Sequence, residues 1–162
     1  MAKRPVSNEK FLQANPLTAE GSPLGIFVRA FIAAALWTSD EEVGSKATLN
    51  QFERPSLESL IEQCQQFISV ATERGYLLPL VDMSQAGHDF WLTRNGHGAG
   101  FWDRDEEVYG EGNGVNLSTL CGWDKMFGEV DLQKIGRKIE TSPLYNEETQ
   151  ADKYKAWVGG NK

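Results

Sequence analysis

Apolar positions along this 162-residue chain fall into two stretches of helical spacing, a weaker third one, and an aromatic-rich segment between them. The first stretch, Gly25 to Trp37 (GIFVRAFIAAALW), is apolar nearly all round, as expected of a helix at the centre of a core. Ser22 supplies an N-cap and Pro23 a first-turn proline, so a helix is predicted from there to about Trp37, ended by Thr38-Ser39-Asp40. In the second stretch Leu57, Leu60, Ile61, Cys64, Phe67, Ile68 and Ala71 recur at offsets of three and four. They predict a helix from about Ser56 to a glycine cap at Arg74-Gly75. Leu117, Leu120, Cys121, Asp124 and Phe127 give a third helix over Asn116 to Phe127, closed by Gly128.

The intervals carry other signals. Residues 1–21, with Pro5, Asn15, Pro16 and Gly21, read as an irregular arm, and residues 38–54 as a polar loop with a short turn. Pro79 makes Tyr76 to Val81 an edge strand or an extended link. Alternation in Glu129 to Leu132, then Gly136 and Lys138-Ile139-Glu140, predicts a short terminal hairpin. A polar tail follows over residues 141–162, with a marginal helix over Asn146 to Trp157. Residues 22–140 then form a single globular domain.

Ala86 to Arg104 (AGHDFWLTRNGHGAGFWDR) concentrates both histidines, two of the five tryptophans and four glycines. Asn95-Gly96 between two aromatic-containing runs is a type I′ turn cue and predicts a central antiparallel hairpin. In that register Arg94 faces His97, Leu92 faces Ala99, Phe90 faces Phe101 and His88 faces Asp103, with Asp89, Trp91 and Trp102 on the opposite side. A loop of odd length would swap the second strand's faces. The expected fold class is therefore α+β: two N-terminal helices, the central hairpin, a third helix and the terminal hairpin, its strands in one antiparallel sheet packed on helices.

Two kinds of chemistry fit that hairpin. His88 oriented by Asp103 would be a general base, with His97 or Arg94 stabilising developing negative charge, although a His-Asp pair equally satisfies a buried polar end. As a ligand site, Trp91 and Trp102 would stack a flat ring over the facing glycines, while Asp89, Arg94, Asn95 and His97 supply polar contacts. The bland counterpart is that both indoles pack beneath a helix. Arg29, in the first helix, either meets an anion or packs its stem and sends its head to water.

Composition narrows the classes. With 40% hydrophobic and 24% charged residues the chain is neither a disordered tail nor a membrane protein, and its longest apolar run is too short to span a bilayer. The polar start MAKRPVSNEK, with no apolar region after it, predicts no secretory signal and a cytoplasmic location. A net charge of −7 argues against direct nucleic-acid binding. It leaves nucleic-acid mimicry by Asp40-Glu41-Glu42 and Asp103 to Glu107 against solvated loop charges. Cys64 and Cys121 read as free core thiols. No zinc spacing, phosphate loop or serine elbow occurs, so neither metal nor cofactor is expected.

The block GHDFWLTRNGHGAGFWDR, followed by a short helical stretch and FGEVDL, resembles a recurrent block in small uncharacterised proteins of tailed bacteriophages and related mobile elements. AALWTSDEE likewise resembles that family's N-terminal helix, and the likeness spans roughly residues 30 to 135. It departs after Leu132, where QKIGRK replaces an aromatic residue and an Asp-Asp-Gly turn. The resemblance implies a phage context and assigns no catalytic role. The expected function is a non-enzymatic accessory protein in the host cytoplasm, binding a host protein or a small nucleotide-like ligand. Its rivals are a small hydrolase or transferase built on His88 and Asp103, and a virion component contacting others through arm and tail.

Overall fold

A computed structural model of the protein describes residues 6–121 and 126–142. It is an α+β arrangement of helices with a small two-stranded antiparallel sheet. The helices are α1 (Asn8–Ala14), α2 (Pro23–Thr38), α3 (Asp40–Val43), α4 (Arg54–Glu73), α5 (Met83–Arg94), α6 (Glu106–Tyr109) and α7 (Asn113–Ser118), and the strands β1 (Asp131–Ile135) and β2 (Lys138–Ser142).

Helix α2 begins as its sequence dictates, with the Ser22 side chain accepting from Gly25 N–H and Pro23 in the first turn. Helix α4 ends at a left-handed Gly75. Ahead of them the lead-in is more ordered than an irregular arm. Ser7 caps α1, Leu12 is buried, and Asn8 Nδ2 donates to the carbonyls of Leu49 and Phe52. Arg29 ties this segment down: it pairs with Glu9 and donates to the Thr18 and Gly25 carbonyls, so its head meets protein groups and no anion pocket. The polar stretch after α2 contains α3 and a 3-10 turn, Leu49–Gln51. Tyr76 to Val81 is a link with a turn and no strand.

The central hairpin is replaced by a helix. Ala86, Phe90 and Arg94, and Gly87 with Trp91, share buried faces at offsets of four. Asp82 caps α5 by accepting from Ser84 N–H and Gln85 N–H. The Asn95-Gly96 pair, legible as a hairpin turn, is instead a helix terminator. Gly96 adopts φ 66°, and His97 N–H reaches back to the Leu92 carbonyl at 3.1 Å, the six-to-one bond of a Schellman cap. The chain then passes through left-handed Gly98 into a 3-10 turn, Phe101–Asp103. The central strand pairings, and the sheet that contained them, are thereby overturned.

Close approach explains two glycines of this block. A Cβ on Gly87 would stand against the Phe27 carbonyl oxygen of α2, and one on Gly100 against Thr93 Oγ1, both well inside contact distance. Helices α2 and α5 therefore pack backbone to backbone, and their phenylalanines interlock with those of neighbouring segments. Phe67 and Phe90 stack at 4.1 Å, with Phe27, Phe31, Phe101 and Phe127 around them at 5.2 to 6.0 Å.

The third helix lies earlier and is shorter than its pattern suggests, ending at Ser118. Leu117, Leu120, Cys121 and Phe127 still enter the core, whereas Asp124 lies outside the described residues. The terminal hairpin is present, paired from Asp131 with Ser142 to Ile135 with Lys138. Gly136 stands at φ 62° in the first turn position, as a type II′ hairpin turn requires. Its inner residues Leu132 and Ile139 are buried, and Glu53 N–H bonds the Ile139 carbonyl at the start of α4. Residues 143–162, including the stretch read as a marginal helix, lie outside the described residues.

Candidate functional site

Helix α5 turns the chemistry-bearing residues in directions the hairpin register does not give. Asp89 points inward and is completely buried. Arg104 grips it with Nε 3.0 Å from Oδ2 and Nη2 2.6 Å from Oδ1, while the Tyr109 hydroxyl donates to Oδ2 and Gln85 Nε2 to Oδ1. Burial and this bond push the Tyr109 phenol far up, and the hydrogen bond to Asp89 raises the Arg104 guanidinium. Asp89 is thus saturated and faces no ligand. Gln85 stands one helical turn before it, a spacing visible once α5 is read as a helix. Nothing in the sequence singles out Arg104 or Tyr109 as its partners.

Arg94 is also buried, and no described carboxylate pairs with it. Its Nε donates to the Gly128 carbonyl at 2.7 Å and its Nη2 to Gln63 Oε1 at 2.6 Å, and the guanidinium lies 4.9 Å from the Phe90 ring centre. Burial lowers its proton affinity to about 10. Burial likewise pushes up the thiols of Cys64 and Cys121, against the pull of Arg94. Both cysteines are free and buried, and no group of described residues has the makings of a metal site.

His88 and Asp103 do not form a pair. His88 is partly exposed on α5, stacked on the ring of Trp37, and its nearest carboxylate is that of Asp89, 3.8 Å from Nδ1. Asp103 instead accepts the Gly100 N–H in its own 3-10 turn. The oriented-base reading of these two residues is corrected accordingly. Nor do Trp91 and Trp102 form one stacking face: Trp91 is buried edge-on against Phe31, while Trp102 is 52% exposed elsewhere on the chain.

Three of the predicted ligand residues do converge. Trp91, Asn95 and His97 line an open pocket of about 200 Å³, together with Thr38, Ser39 and Glu42 from the α2–α3 corner and Glu129 to Leu132 entering β1. Trp91 Nε1 donates to Thr38 Oγ1 at 2.6 Å. Asn95 Nδ2 donates to the Trp91 carbonyl, and its Oδ1 accepts the Val130 N–H. These two residues build the wall. The groups left for a guest are the His97 imidazole, the Ser39 hydroxyl and the carboxylates of Glu42, Glu129 and Asp131, none of which forms an ion pair among the described residues. The three acids were invisible as a set because about ninety residues separate Glu42 from the other two.

Comparison of the chain with protein-family models, with curated proteins and with solved structures finds no match.

Proposed function

We propose that this is a phage-encoded accessory protein that binds a host protein through a basic side chain seated in the pocket between α3, the end of α5 and β1. The observation that carries the reading is the pocket itself. Its mouth gathers three carboxylates on a wall fixed by Trp91 and Asn95, within a chain of net charge −7. A lysine or arginine head would be drawn to that field from a distance and held by charge-assisted bonds. Of the two ligand classes the sequence leaves open, a nucleotide-like molecule fits less well, since its phosphates would meet Glu42, Glu129 and Asp131. A reaction built on His88 and Asp103 has no support in their arrangement, because each is engaged with other groups.

The test is affinity capture from host lysate with the wild-type protein and with the charge-reversed Glu42→Lys, Glu129→Lys variant. A host protein retained by the first, released by salt and lost by the second is the expected result. Capture that survives charge reversal rules the pocket out. A nucleotide that raises the melting temperature of the wild type and not of the variant assigns the pocket to the other ligand class.

A further inference from the structure

A second surface, independent of that pocket, lies where the link after α4 meets the 3-10 turn and α7. Leu78 Cδ1 is 3.1 Å from where a Cβ on Gly110 would stand. Gly110 in turn abuts Asn113 at the start of α7, and Gly114 comes up against the Phe101 carbonyl and Trp102 Cα. This chain of contacts brings together the segments that carry Leu78, Trp102 and Val115. All three are largely exposed, at 46%, 52% and 61%. Three exposed apolar residues on adjoining segments, one of them an indole, are the kind that marks a protein interface, and such aromatics are its usual anchors.

The surroundings select the occupant. Asp105, Glu106, Glu107 and Glu111 occupy the segment between Trp102 and Val115, are exposed, and form no ion pair with any described residue. Arg104, the basic residue within that run, is turned inward onto Asp89. The apolar face is therefore bordered by uncompensated negative charge, which repels nucleic acid and anionic lipid. It complements a segment that presents apolar side chains flanked by lysine or arginine.

We infer that the Leu78, Trp102 and Val115 face is a docking surface for a basic amphipathic segment of a partner protein, with Trp102 as its apolar anchor. The apolar contact supplies the grip, and the carboxylates supply orientation and a salt-dependent approach.

A helix-forming peptide of leucine and lysine serves as the probe, with a leucine–glutamate peptide and a lysine-only peptide as controls, each titrated at low and moderate salt. The leucine–lysine peptide is expected to bind the wild type at least tenfold more tightly than either control. Trp102→Ala and Val115→Lys should each weaken it about tenfold, which is 1.4 kcal/mol, and Glu106→Lys, Glu107→Lys at least as much. Trp37→Ala, at another exposed tryptophan, and the pocket variant Glu42→Lys, Glu129→Lys should leave it unchanged. Unaltered melting of the exposed-site variants shows that the losses are local. Lysine-only peptide binding as tightly, no loss in Trp102→Ala and Val115→Lys, equal loss in Trp37→Ala, or no binding to the wild type would each overturn the inference. Because the pocket variant is a separate arm, this surface and the pocket can fail independently.

Discussion

Arg104 closes over Asp89 as a two-pronged lid, its Nε and Nη2 meeting both carboxylate oxygens of a side chain that has no contact with water. The pair joins α5 to the chain beyond the 3-10 turn, and Tyr109 adds a third donor from α6. Removing one partner leaves the other's charge or donors unmatched. Asp89→Ala is expected to cost about 3 to 5 kcal/mol in urea unfolding. Tyr109→Phe, which removes one neutral donor, should cost about 1 to 2 kcal/mol. Equal effects from the two substitutions would mean that the charge pair contributes nothing beyond an ordinary hydrogen bond.

Gly87 inverts the usual rule for helix interiors. Replacing an interior glycine by alanine ordinarily stabilises a helix by up to about 1 kcal/mol. Here the added methyl meets the Phe27 carbonyl across the α2–α5 contact. Gly87→Ala should therefore destabilise the protein by about 2 kcal/mol, as overpacking does. A higher melting temperature for the variant would show that the helices have room to separate.

His88→Ala separates the structural arrangement from the oriented base predicted on a hairpin. The imidazole is partly exposed, stacks on an exposed Trp37, and its Nδ1 has no hydrogen-bond partner. Its removal should change unfolding free energy by no more than about 1 kcal/mol, measured by urea titration. A loss several times larger would mean that His88 holds a buried partner after all.

Alkaline pH should weaken the fold. The thiols of Cys64 and Cys121 and the phenol of Tyr109 are all raised above their ordinary values of 9.0 and 10.0. The unfolded chain therefore releases these protons while the folded one keeps them, and the stability they contribute is present below pH 9 and lost as pH rises beyond it. Arg94 acts in the opposite sense above about pH 10, since its folded form gives up its proton first. Three groups oppose one, so the urea midpoint should fall above pH 9. Cys64→Ala should flatten the first part of that fall and Tyr109→Phe the later part; a midpoint indifferent to pH between 9 and 11 would contradict the burial of these groups.

Helices α2 and α4 were legible because each has an ordinary signature, serine followed by proline at one start and an apolar stripe closed by glycine at the other end. Helix α5 was not. Its inward face carries Asp89 and Arg94, charged residues that a periodicity reading assigns to water, and Trp91 and Leu92 are buried next to each other. With apolar and charged residues both inside, no stripe survives, and the Asn95-Gly96 signal decides wrongly between two turns that use the same dipeptide. The peculiarity of the block is largely steric: Gly87 and Gly100 mark close approaches, while Asp89 and Arg94 are internal fasteners. Trp91, Asn95 and His97 line the pocket, and their acidic companions come from segments, Asp40 to Glu42 and Glu129 to Asp131, whose own signals point to surface charge and a hairpin.

Strand β2 has a kinetic meaning. Ser56 Oγ accepts the Thr141 N–H, and the Ile139 carbonyl accepts the Glu53 N–H, bonds that span about eighty-five residues and secure the first turn of the longest described helix. Closing so long a loop is entropically slow, so α4 begins life with its entrance open. A chain emerging from the ribosome cannot lock that entrance until residue 141 is free, and the hairpin is expected to act as the latch that ends folding.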